Sequence, residues 1–341
     1  ARAWGERLQA LRASFGNGTT PGPGDSGRLL RDLERELWQP LASALPAARG
    51  SRVTIVPHGA LLLLPFASLI DPAGGYLVES FTLDYAPSIA ALDALGTQAA
   101  AAEPAAEGCL AIGNPATGSV LPALPGAETE AAFAAAALGH GRGNVLVGLE
   151  ATEARVRSLA PGRAWLHFAT HGVVRDDAPL ESALLLAPPR EATEGGDGRL
   201  TAREILDLRL RARLVTLSAC DSGLGRVTGE GMLGLCRSFL HAGAESVVVS
   251  LWGVSDLVGG YQMNRFYSSL AEGQAPALAL RRAQLQTLEA LRRGELRTPS
   301  GRALPESPFL WAPYVLIGEG GTNPPNASIS RRMFRKRPSA L

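Results

Sequence analysis

Cysteine, lysine and net charge are all scarce in this 341-residue chain. The three cysteines, Cys109, Cys220 and Cys236, are too few for a disulfide framework, so reducing surroundings are expected. Lys336 is the only lysine; every other basic residue is arginine, and with the abundance of Ala and Gly this usage fits a GC-rich genome better than phosphate chemistry. A net charge of +1 gives no indication of a nucleic-acid partner. No apolar run approaches about 20 residues and no charged-then-apolar leader is visible, so neither a membrane span nor a signal peptide is expected. The cysteines lack C-x-x-C spacing, and no histidine pair has i, i+4 helical placement, which argues against zinc. No G-K-[ST] follows the glycine-rich stretch 223–231, and no G-x-S-x-G elbow surrounds Ser222, so a phosphate loop and a serine hydrolase are not favoured. The start at Ala1 suggests a fragment of a longer protein, or a processed one.

Apolar residues are plentiful, at 46%, enough for one large core or two modest ones. Trp4, Leu8, Leu11 and Phe15 fall at helical spacing, followed by a Gly/Pro-rich linker over 16–27. Leu30, Leu33, Leu37 and Leu41 predict an amphipathic helix over 28–45. Val53–Val56 and Leu61–Phe66 flank Pro57-His58-Gly59 and read as a hairpin, with His58 an exposed turn residue. Ser88 is expected to cap a helix running to about Ala102.

From Cys109 the pattern becomes strand, helix, strand, helix. Strands are expected near residues 110, 146, 167, 216, 248 and 315. Helices are expected over 126–138, 152–159, 201–206, 229–242, 256–271 and 276–292, with Thr152 and Thr201 as caps. Glu128 and Glu130 sit early in an Ala-rich helix and suit its dipole. This order calls for an α/β fold, a mostly parallel six-stranded sheet with helices on both faces. Ser182–Ala187 reads as a shorter strand, a hairpin partner inserted between major elements, while residues 172–200 as a whole, with DDAP and EGGDG, are long and polar enough for a mobile loop. The basic tail, Arg331 to Arg337, reads as solvated.

Two strands end in reactive side chains. WLHFATHG closes on His171 and then Gly172; LVTLSACDSG closes on Cys220 before an Asp-Ser-Gly turn. Ligands of open α/β sheets bind at the carboxyl ends of strands, and a thiol needs a neighbouring base to attack at neutral pH. His171 and Cys220 are therefore the candidate dyad. Cys109, Cys236 and the mid-strand His167 read as core; His140 and His241 read as helix-end residues.

The segments LPF (64–66), AIGNP (111–115), LPGAETEA (124–131), LHFATHG (166–172), LVTLSACDSG (214–223), GEGMLGLCRSFLHAGAESVVVSLWGVSD (229–256) and WAPYVLIG (311–318) resemble the CHAT domain. This is a caspase-like and separase-like cysteine peptidase domain, usually C-terminal to tetratricopeptide repeats. The resemblance implies residues 1–27 as linker or the end of an upstream region and 28–104 as an N-terminal accessory lobe. It implies a caspase-like protease domain over 105–318, with 319–341 left as a flexible basic tail. It implies a bacterial, cytoplasmic cysteine endopeptidase that uses His171 and Cys220 and holds the oxyanion on the backbone N–H groups of Gly172 and Cys220. No cofactor or metal is implied. The implied partners are a protein or peptide substrate and an upstream repeat region or regulatory protein, with no membrane and no nucleic acid. Asp256, in LWGVSD, is the candidate for receiving a basic P1 side chain, or else it caps the helix it precedes. Asp221 is the other acidic candidate, or else it forms an Asx-turn. The alternative function is a catalytically silent, peptide-binding scaffold.

Overall fold

A computed structural model describes residues 2–15, 25–91, 107–118, 121–175, 177–189, 195–218 and 229–321. In chain order, α1 (Arg2–Ser14) and α2 (Ser26–Leu37) precede β1 (Arg52–Ile55), a one-turn α3 (Leu77–Ser80) and β2 (Thr82–Tyr85). Then come β3 (Cys109–Pro115), α4 (Pro125–Leu138), β4 (Gly143–Gly148), α5 (Glu153–Leu159) and β5 (Trp165–Ala169). They are followed by β6 (Gly172–Val173), β7 (Ala183–Leu185), β8 (Arg199–Thr201), α6 (Ala202–Ile205), β9 (Leu214–Leu217) and α7 (Gly229–His241). The chain continues with β10 (Ser246–Ser250), α8 (Asp256–Ala271), α9 (Pro276–Arg292), α10 (Pro308–Trp311) and β11 (Tyr314–Gly318).

The expected α/β class is the one found: one sheet in the order β1-β2-β11-β10-β9-β5-β3-β4, parallel throughout except where β10 meets β11. The six strands read from the sequence are all present. The sheet has eight because β1 and β2, from the stretch expected as an accessory lobe, join it beyond β11 through the Ile317–Tyr85 pair. Arg52 secures that join, reaching Asp84 at 2.5 Å and Glu319 at 2.9 Å.

The central strands β5, β9 and β10 are buried along their whole length, as strands covered on both faces must be. Alternate residues feed two layers. Leu110, Ile112, Leu166, Phe168, Val215 and Leu217 pack with Leu235, Cys236 and Phe239 of α7. On the other face, Cys109, Ala111, Trp165 and Leu214 pack with Ala131 and Ala134 of α4 and with Met263, Phe266 and Tyr267 of α8. Cys109, Cys236 and His167 are core residues, as read; His58, His140 and His241 are exposed.

Two expectations fail. The hairpin over 53–66 does not form: β1 pairs in parallel with β2, and residues 59–63 and 66–68 are 3-10 turns. LLLLPF has no two-residue alternation, and Pro65 cannot donate to a ladder, so Leu64 and Phe66 enter the core from turns instead. The described residues of 172–200, read as a mobile loop around a short strand at Ser182–Ala187, contribute that strand as β7 and also β6 and the start of β8, in an antiparallel three-stranded sheet. The buried Glu153 anchors it: Oε1 accepts from the N–H groups of Asp197, Gly198 and Arg199 at 2.8, 2.7 and 3.2 Å. Thr152 and Thr201 cap their helices as expected. Ser88 Oγ accepts from the N–H of Ala91, and the rest of that expected helix, residues 92–102, lies outside the described residues, as do linker residues 16–24 and the basic tail. Among the described residues no helix is long and apolar enough to cross a membrane.

Small residues let α4 lie close on β3. A Cβ added to Gly113 would sit 2.6 Å from the carbonyl oxygen of Ala127 and 2.9 Å from Cβ of Ala131, with no flexible side chain to yield. Gly113→Ala is therefore expected to destabilise the fold by about 1–3 kcal/mol, the usual range for overpacking. Urea unfolding would show it; an unchanged midpoint would mean that α4 is free to move off the sheet.

Candidate active site

β5 and β9 are parallel neighbours, paired from Trp165–Leu214 to Phe168–Leu217, and the N–H of Ser218 donates to the carbonyl of Phe168 at 2.9 Å. The two strands thus end level, at the sheet rim where open α/β folds bind ligands. Beyond β5 come Thr170 and His171, both buried. Nε2 of His171 lies 2.8 Å from the carbonyl oxygen of Pro122. A carbonyl only accepts, so Nε2 carries the proton and donates; in the neutral ring Nδ1 is then left as the basic nitrogen.

The loop that supplies that carbonyl is itself tied down. Asn114 accepts from the N–H of Leu124 at 2.7 Å and donates through Nδ2 to Glu128 at 2.7 Å. Its backbone is left-handed, at φ 48°, a conformation asparagine tolerates better than most residues.

His171 opens on a cleft of about 660 Å³ counting its open mouth, bounded by the ends of β5, β9 and β10, the first turns of α4 and α8, and Tyr314. Asp256 lines the same cleft as the first residue of α8; the N-cap position belongs to Ser255. The Asp256 carboxylate lies over the first turn of α4, where a Cβ at Gly126 would come within 3.1 Å of it. The structure therefore brings His171 and Asp256 to one cavity. Gly172 begins β6 opposite Leu184. Cys220 and Asp221 lie outside the described residues.

Sequence reasoning missed Glu130. It lies one turn into α4 rather than at its N-terminus, its side chain is 11% exposed, and it lines the cleft. The available signal was its spacing: with Ala134 and Leu138 it falls at i, i+4, i+8, on the face that packs against the sheet. Burial pushes its carboxyl up to about 7, with the charge of Asp256 adding and the Ser218 hydroxyl opposing. Behind it, His167 Nε2 is 3.6 Å from Glu130 Oε1, too far for a hydrogen bond. The contact is no ion pair either, because burial pushes the imidazole down to about 3 and keeps it neutral. His167 Nδ1 instead pairs with the Tyr267 hydroxyl at 2.6 Å. Among the described residues no group of His, Cys, Asp and Glu is placed to hold a metal.

The model of the CHAT domain family matches residues 27–319, most of the chain and all of its sheet. The chain belongs to the CHAT domain family. This CHAT domain is 30% identical to Tetratricopeptide repeat protein 28 of mouse over 346 residues, and 30% identical to its human counterpart over 337. Each match covers 85% of this chain and only 13% of the relative, so the chain spans a small part of those proteins. Both relatives are mammalian and lend nothing to the expected bacterial source. A solved structure described as "Structure of Protease" superposes on the CHAT domain with a TM-score of 0.51 at 10% identity, covering 94% of this chain and 75% of that one. That likeness shows the fold alone.

Glu130 has a measurable consequence. Its carboxyl ionises near 4.5 in the unfolded chain and near 7 in the folded one. Between those values the folded state holds a proton that the unfolded state has lost. Stability therefore falls as pH rises through that window, and the loss is complete above it. His167 gives the opposite slope, its contribution being lost as pH falls from 6.5 toward 3. Subtracting a Glu130→Gln variant isolates the carboxyl: between about pH 5 and about pH 8 wild type is expected to lose about 2.5 kcal/mol relative to the variant. Urea unfolding across pH measures this, and a flat difference would mean an ordinary, solvated carboxylate.

Proposed function

We propose that this CHAT domain is a cysteine endopeptidase that cuts a protein partner after a basic residue, with His171 and Cys220 as its dyad. The observation that carries the reading is the setting of His171. Its Nε2 is held by Pro122, it opens on the cleft that Asp256 lines, and Ser218, on that same cleft, precedes Cys220 by two residues. Two peptide units of about 3.8 Å each limit how far Cys220 can lie from Ser218.

In this mechanism Nδ1 of His171 takes the thiol proton of Cys220. The thiolate attacks the scissile carbonyl, and the negative charge that develops on oxygen is met by the backbone N–H groups of Gly172 and Cys220. The tetrahedral intermediate collapses as the imidazolium protonates the leaving amine. Water, deprotonated by the neutral imidazole, then attacks the thioester and releases the acid and the thiol. The Pro122 carbonyl orients the ring by accepting from Nε2. Asp256 meets the P1 cation, with Asp221 as the other acidic residue near the nucleophile.

Membership of the CHAT family and the fold of a protease structure support this reading, as does the one cleft shared by His171 and Asp256. The names of the mammalian relatives support a further part of it: in the full-length protein, an upstream tetratricopeptide-repeat region or a bound partner regulates the site. Reducing, cytoplasmic surroundings suit a nucleophile that must stay a free thiol.

A peptide acyloxymethyl ketone with arginine at P1 is expected to label Cys220, and Cys220→Ala to abolish the labelling. Reversible capture of the same peptide with no labelling of Cys220 would instead favour the scaffold reading. With a fluorogenic P1 library, Asp256→Ala is expected to lower kcat/KM for basic P1 residues by about tenfold or more, the worth of a charge-assisted hydrogen bond. An unaltered preference would remove Asp256 from the site.

A further inference from the structure

The cleft carries two carboxyls, Glu130 and Asp256, and no arginine or lysine among its lining residues. They do not act as one another's partners: the charge of Asp256 disfavours ionisation of Glu130, and Oε1 of Glu130 is buried with no hydrogen-bond partner. The groups that face Glu130 do not supply a cation. His167, on β5, is held neutral; Tyr267 of α8 and Tyr314 of β11 are phenols; Ser218, after β9, offers a hydroxyl; Asp256 of α8 is acidic. Across the cleft, His171 is engaged with Pro122. A buried carboxyl left without a cation is a costly arrangement unless a ligand completes it. The two acids come from different walls, Asp256 from the first turn of α8 and Glu130 from one turn into α4, with Gly126 lying beneath the Asp256 carboxylate. A planar guanidinium, with five donors in a fixed fork, can serve two acceptors on separate walls at once. An ammonium is a compact point charge and serves one of them well.

We propose that Glu130 is the second acidic wall of the P1 pocket and that, together with Asp256, it selects arginine over lysine. The inference rests on reading the cleft as the site of a basic P1 residue, and it adds the residue that discriminates within that class. Asp256, exposed at the mouth, supplies the attraction common to both cations. Glu130, deeper in, is reached by the guanidinium and gives up its proton to bulk solvent as the guanidinium enters. Arginine binding is thereby coupled to the release of about one proton, and it tightens as pH rises through neutrality.

The test uses the full chain carrying Cys220→Ala, so that no turnover occurs. The probes are the Nα-acetyl N-methylamides of arginine, lysine and the uncharged isostere citrulline. Calorimetry at about pH 6.5, in buffers of different ionisation heat, reads both affinity and proton release. Arginine is expected to bind at least about tenfold more tightly than lysine, the worth of one charge-assisted hydrogen bond. Adding Glu130→Gln is expected to erase that gap and the proton release. If Glu130→Gln leaves both unchanged while Asp256→Ala abolishes the preference for the basic probes over citrulline, the role of Glu130 is refuted and the basic pocket stands. If neither basic probe outbinds citrulline, the pocket itself is refuted and this inference falls with it. Should Glu130→Gln fail to fold, the pH series on protein with Glu130 intact decides, run with His171→Asn so that no imidazole in the cleft supplies the slope. Arginine affinity that does not rise between about pH 6 and about pH 8 overturns the proposal.

Discussion

The parallel pairing of β5 with β9 is the constraint on which the rest of the site depends. Both strands are buried on both faces, so each residue is committed to one helix layer or the other. A slip of one residue would turn His167 away from Tyr267 and drive Phe168 into the layer of small residues that α4 presents. Register is therefore strongly specified. With it comes the level ending of the two strands, where the N–H of Ser218 meets the carbonyl of Phe168 and the chain beyond β5 turns His171 into the cleft. A rim built on two central strands is also rigid, as is needed where a reacting group must be held to a fraction of an ångström.

The second constraint is the close seating of α4 on β3. Ala127, Ala131 and Gly113 remove the side chains that would hold the helix off the sheet. That approach carries Gly126 and Glu130 to the cleft wall and brings Glu130 up to His167. Several buried polar atoms there, Glu130 Oε1, His167 Nε2 and Thr216 Oγ1, have no hydrogen-bond partner. A fold selected for stability alone would fill these positions with apolar side chains at little or no loss. These atoms lie behind the cleft that His171 and Asp256 share, and unsatisfied buried groups at such a place are often tied to function.

Much of the frame was legible in the chain. The six strands from β3 to β11 that share the main sheet announce themselves as short apolar runs between helices, and Thr152 and Thr201 mark helix starts by local capping chemistry. The failures share a cause. Around its one expected strand the segment 172–200 looks polar and mobile, yet a carboxylate 44 to 46 residues away, Glu153, gathers the N–H groups of Asp197, Gly198 and Arg199. The stretch 53–66 looks like a hairpin, yet β1 finds its partner about 30 residues on, in β2. Glu130 reads as a charge for the helix dipole, because in so Ala-rich a helix only its spacing with Ala134 and Leu138 marks the side of α4 that meets the sheet.

Taken alone, the sequence determined the alternation of strands and helices and set His171 just beyond the end of β5, because period, capping and turn chemistry act over a few residues. The tertiary structure decided which strands are neighbours, that His171 is oriented by Pro122, and that Glu130 and Asp256 share a cleft. Those are contacts between segments tens or more residues apart, and no local pattern encodes them. They follow only when the sheet closes in one register and the helices pack down on it.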